Sequence, residues 1–146
     1  MATFREALYA ILLADAQSAV AGSLGDLLEY NVATKPRCVY FVNGPDKPVL
    51  PILTYSTIAS NDAFSRTIIW GFTAWGNNFE AILKRVFDLM HKRHAITATD
   101  YSVKSMKFDG SSPDLWDENL KCYYRQDRYR SLAVRTPYPG NTGAVA

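Results

Sequence analysis

Two histidines, His91 and His94, stand three residues apart in "HKRH", a spacing that on a helix would offer both imidazoles to one metal ion. A zinc site needs further ligands, and none stands near them, so the expectation is a basic helix end where the dipole favours positive charge. Asp114, Asp117 and Glu118 in "SSPDLWDE" carry oxygens suited to a hard cation. Their spacing follows no calcium loop and Pro113 marks a turn, so a solvated loop is expected. Trp116, a large aromatic in the same polar loop, should either anchor a partner or fold back on the core.

A third cluster, "KCYYRQDRYR", interleaves Lys121, Arg125, Arg128 and Arg130 with Tyr123, Tyr124 and Tyr129. Those types together bind single-stranded nucleic acid by stacking and phosphate contact. On a strand, however, Tyr123, Arg125, Asp127 and Tyr129 share one face and Tyr124, Arg128 and Arg130 the other, which splits the basic charge. A charge-defended edge strand or a subunit interface is the expectation. The chain has no G-x-S-x-G elbow, Walker A loop, G-x-G-x-x-G or H-E-x-x-H. No catalytic residue, metal or cofactor is expected.

The elements that must position these residues follow from local patterns. Thr3 and Glu6 form a capping box, and Leu8, Ile11 and Leu12 recur at helical spacing, predicting a helix over 4–14. The stretch "DAQSAVAGSLGDLLEY" reads as a second short helix weakened by Gly22 and Gly25. "CVYFV" at 38–42, set among prolines, is a strand candidate. "ILTYSTIAS" and "FSRTIIWGFTAW" read as a hairpin.

In the second hairpin strand, Ile68, Trp70, Phe72 and Ala74 form the bulkier face, expected to pack against helices. Asn77 with Glu80 opens a second capping-box pattern, and Phe79, Ile82, Leu83, Val86 and Met90 mark the apolar stripe of a helix. "YSVKSMKF" and "NLKCYYRQDRYRSLAV" are two further strands joined by the turn-rich "DGSSPDLWDE". The predicted order is helix, strand, hairpin, helix, strand, strand. It implies an α+β domain over 1–135, in which a mostly antiparallel sheet is covered on one face by two helices. The tail 136–146, "TPYPGNTGAVA", has no pattern and should be ordered only by contacts in an assembly.

The chain has 146 residues, 48% of them hydrophobic and 21% charged, which is the composition of one globular domain. Its net charge of +2 does not make nucleic-acid binding the default. No apolar run approaches the roughly 20 residues that span a bilayer. Asp15 and Glu6 break the apolar start, so the N-terminus reads as a helix of the mature protein and not as a signal peptide. Cys38 and Cys122 are expected to be buried reduced thiols.

The order of elements, with "REALYAILLAD", "LPILTYSTIAS", "FSRTIIWGFTAWGNNFEAILKRVFDLM" and "NLKCYYRQDRYRSL", resembles the tail terminator and tail completion proteins of long-tailed bacteriophages over residues 4–134. These motifs are structural rather than a fingerprint. The resemblance implies a virion protein assembled in the host cytoplasm, usually as a ring of six copies at the tail-to-head interface. Such a ring caps the tail tube, meets the tube protein on one side and the head connector or head-closure protein on the other, and passes DNA through its bore without sequence-specific binding. Candidate interface residues are Trp116, Arg125, Arg128, Arg130 and, in the tail, Tyr138. Another connector component, a head-closure or tube protein, is the alternative, and a small nucleic-acid-binding module or an enzyme a more distant one.

Overall fold

Thr3 starts the first helix. In the computed structural model, which describes residues 3–60, 65–93, 96 and 98–135, its hydroxyl accepts from the Glu6 N–H and the Glu6 carboxylate accepts in return from Thr3. Helix α1 spans Phe4–Ala16 and buries Phe4, Leu8 and Leu12; of the predicted stripe of Leu8, Ile11 and Leu12, Ile11 is only partly buried. A long-range acceptor adds to the cap. The Asp100 carboxylate takes the Phe4 N–H at 2.8 Å, placing negative charge at the positive end of the helix.

Helix α2 is a single turn, Leu24–Leu27, capped by the Ser23 hydroxyl. Gly25 serves packing here, because a Cβ at this position would meet the Ala16 carbonyl at 2.7 Å and the Ser18 carbonyl more closely still. A glycine that weakens a helix in isolation thus lets α2 lie against the end of α1.

Among the described residues the sheet has six strands: β1 (Val39–Phe41), β2 (Ile52–Ser60), β3 (Ser65–Trp75), β4 (Tyr101–Ser111), β5 (Leu115–Asp117) and β6 (Cys122–Arg135). Their spatial order is β1-β2-β3-β6-β4, with β5 also paired to β6. Only β1 and β2 run parallel; every other pair is antiparallel. The α+β class and the antiparallel hairpin of β2 and β3 hold. The second short helix is present but cut down to α2, and β5 is an added strand inside the linker read as turns. One expectation fails: β6 is not an edge strand, since β3 flanks it on one side and β4 on the other. Its alternating charges mark a strand with one wet face.

Helix α3 spans Phe79–Met90 and buries the predicted stripe of Phe79, Ile82, Leu83, Val86 and Met90. Its cap is Asn78 and not Asn77, and no side chain caps the helix, because the Asn78 amide donates instead to the Leu27 carbonyl at 2.6 Å. The capping-box expectation therefore gives way to a tie between α3 and α2.

Both long helices lie on the sheet face that carries Ile68, Trp70, Phe72 and Ala74, all buried. Phe4 meets Trp70 edge to face at 5.2 Å, and Phe72 meets Tyr129 likewise at 5.3 Å. Each such aliphatic or aromatic side chain fully removed from water contributes about 1.5–3 kcal/mol. Cys38 and Cys122 are buried free thiols. No helix among the described residues is long and apolar enough to cross a membrane. Tyr138, with the rest of 136–146, and His94 lie outside the described residues.

Candidate functional site

The register of β3 with β6 pairs Trp70 with Tyr129 and Phe72 with Asp127, which puts Arg125, Asp127 and Tyr129 on the helix-covered face. Arg128 and Arg130 fall on the opposite face and are exposed. The arginines singled out from sequence therefore form no single patch. Arg125 is half-buried over the Phe79 ring at 5.3 Å and reaches Asp114 at 3.5 Å and Asp127 at 3.8 Å. Arg130 pairs across to Asp109 at 3.5 Å and stands opposite Lys107 in the β4 register.

The face that carries Arg128 and Arg130 has none of the helices on it. Its exposed aliphatic side chains among the described residues include Ile58 on β2, Leu132 on β6 and Leu115 beside Tyr124. Trp75 and Tyr124 stack there at 4.3 Å, and Gln126 donates to the Thr73 hydroxyl at 3.3 Å. It is a broad sheet surface in which cations alternate with apolar side chains.

Strand β5 makes a second surface. Trp116 and Tyr123 are 48% and 49% exposed and share one face of the sheet, while Leu115, 39% exposed, pairs with Tyr124 on the other. Trp116 packs edge to face on Tyr123 at 4.8 Å and donates its indole N–H to Glu118 at 2.9 Å. It thus sits outside the core, held in place by its neighbours. Asp117 accepts from the Leu120 N–H, and Glu118 pairs with Lys121 at the surface. Among the described residues no group of three His, Cys, Asp or Glu side chains gathers where a metal ion would sit.

His91 stands at the helix end as expected, as the residue that closes α3, and it is also tied to the sheet: its Nδ1 accepts from the Phe108 N–H at 3.0 Å and its ring stacks on Phe87 at 4.5 Å. It thereby joins α3 to β4. Arg93 plays the part expected of the basic cluster, donating to the Leu89 carbonyl at 2.7 Å near the helix end.

Comparison with models of known protein families and with curated proteins gives no match. The functional reading rests on the surfaces themselves.

Sequence reasoning missed three groups, each assembled from distant parts of the chain. Lys35 is buried, and its ammonium donates to the carbonyls of Leu28 at 2.7 Å and Pro51 at 2.6 Å; burial lowers its pKa from the ordinary lysine value. Asp15 takes a two-pronged bond from Arg85 at 2.7 and 2.9 Å. At the β1 edge, Arg5 lies over the Phe41 ring at 4.7 Å and Arg37 over the Tyr40 ring at 4.6 Å, and both line a cavity of about 260 Å³ with Tyr9, Phe41 and Tyr55. Burial pushes the Tyr55 hydroxyl up to about 12, so it stays protonated and donates to the Arg5 carbonyl.

Proposed function

We propose that this protein is a structural subunit of a bacteriophage virion, a ring-forming protein that caps the tail tube and joins it to the head connector. The observation that carries the reading is the one-sided sheet. Helices fill one face, while the other presents Ile58 and Leu132 exposed among Arg128, Arg130 and Lys107. Exposed apolar side chains ringed by charge are the mark of a surface that meets another protein. Trp116 and Tyr123 add a second surface of that kind at the far edge of the sheet.

The chemistry of the surfaces agrees with the resemblance to tail terminator and tail completion proteins. Arg130 is countered by Asp109 and Arg125 by Asp114, so the charges alternate in sign and the net charge is only +2. A bore lined in that manner would let DNA pass, whereas an unbroken row of cations would hold the phosphates. In this reading the protein acts in the virion at the tail-to-head interface, after assembly in the host cytoplasm.

Deleting the gene from its phage tests the reading. The expected result is filled heads and free tails that fail to join, with some tails of irregular length. Normal infectious particles from the deletion would overturn it.

A further inference from the structure

Two unlike surfaces lie at opposite edges of the sheet. At the β1 edge, Arg5 and Arg37 border the aromatic-walled cavity, each with one guanidinium face laid on a ring. Stacking holds both side chains in place, so little of their freedom is left to lose on binding. Among the described residues neither has a carboxylate partner. Glu6, which also lines the cavity, is committed to the Thr3 capping box. The site has the makings of a receptor for a carboxylate beside a flat ring: fork donors at the guanidinium edges and a free cationic face for an aromatic.

The opposite edge carries that chemistry. Tyr124 pairs with Trp75 of β3 on one side and with Leu115 of β5 on the other, so β5 lies on the β4 side of β6, away from β1. Its arm presents Trp116 between Asp114 and Glu118, which within one copy face Arg125 at 3.5 Å and Lys121; Glu118 and Lys121 are both largely exposed, and surface pairs of that kind change partners at little cost. The indole of Trp116 is the ring that pairs best with a cation. With strands about 4.8 Å apart, the two edges are separated by roughly 19 Å across the sheet, and a three-residue strand fixed to β6 cannot reach its own receptor.

We infer that the β5 arm of one copy, Asp114–Trp116–Glu118, docks in the Arg5–Arg37 cavity of the next copy. Trp116 enters between the guanidiniums, and Glu118 and Asp114 meet them at the rim. The occupant is a second copy of this chain, chosen by charge complementarity between the two edges. A contact between two different edges of the same subunit is head-to-tail, and such contacts close into rings when the rotation between neighbours divides the circle. The inference rests on the ring reading above and names the surfaces that would make it.

Charge exchange tests it, read as the self-association constant by analytical ultracentrifugation on the full chain. Arg37→Glu alone and Glu118→Lys alone should each weaken association by about tenfold or more, since each sets like charges face to face. Both changes in one chain should restore most of it, which a merely misfolded variant would not do. Trp116→Ala should weaken association as well, with no change in melting temperature beyond that of an exposed site. A wild-type oligomer indifferent to both single reversals would overturn this inference and leave the ring reading standing. A wild-type chain monomeric at every concentration would overturn both.

Discussion

Asp15 and Arg85, seventy residues apart, form a two-pronged ion pair in which Arg85 Nη2 meets Oδ1 at 2.7 Å and Nε meets Oδ2 at 2.9 Å. The same Oδ2 accepts the Leu24 N–H at 2.7 Å. One carboxylate at the end of α1 thus ties down α3 and the first turn of α2. The pairing with Arg85, more than the opposing burial, holds the Asp15 pKa below the ordinary carboxylate value.

Asp15→Asn should therefore destabilise the fold by about 2 kcal/mol at neutral pH, as expected for charge-assisted bonds in a partly buried setting. The folded pKa lies below the unfolded one, so this contribution is complete above the unfolded value near 4 and fades as the pH falls through the folded value. Urea titrations at pH 7 and in steps into acid should show the gap between wild type and variant closing only at the acid end.

Asp127 should behave in the opposite sense. Burial on the helix-covered face raises its pKa, against the lowering effects of the Ser111 hydroxyl at 2.6 Å and Arg125. The folded pKa lies above the unfolded one, so the ionised group costs stability above the folded value and the cost vanishes as the pH falls toward the unfolded value. Asp127→Asn, which keeps an acceptor for Ser111, should raise stability by about 1 kcal/mol at pH 7 and converge with wild type in acid. Thermal melts across that range check the crossing of the two carboxylate effects.

Gly25→Ala tests the seat of α2. The added methyl would press on the backbone carbonyls of Ser18 and Ala16, which cannot swing aside as a side-chain end would. A loss of about 2 kcal/mol or more is expected, against the gain that Ala brings to an unhindered helix. A chemical denaturation curve unchanged from wild type would show that α2 shifts freely on α1.

What the sequence made legible is what short-range pattern decides. The apolar stripe from Phe79 to Met90 and the alternation through Ile68, Trp70, Phe72 and Ala74 each need only a few neighbouring residues to be read, and both faces are buried as expected. Strand β5 escaped because three residues in a segment rich in Ser, Pro and Asp carry no period. The position of β6 escaped because Arg128 and Arg130 look the same on an edge as on the wet face of an interior strand; the order of strands is fixed by pairing with β3 and β4, which sequence spacing does not encode.

The candidate surfaces divide along the same line. Trp116 stood out as a large aromatic in a polar loop, whereas the Arg5–Arg37 cavity needs α1 brought against β1 before its parts are neighbours. Asn78 shows the effect at a single residue. The local pattern pointed to Asn77 as the cap, whereas Asn78 holds that position and gives its amide to a distant carbonyl, that of Leu27.

The central claim is that this chain closes on itself as a ring. Electron microscopy of the purified full-length protein tests it most directly. The account predicts closed rings of uniform copy number with an open bore, and the same ring at the tail-to-head junction of the virion. A population of monomers at every concentration, or open filaments without closed rings, would contradict it.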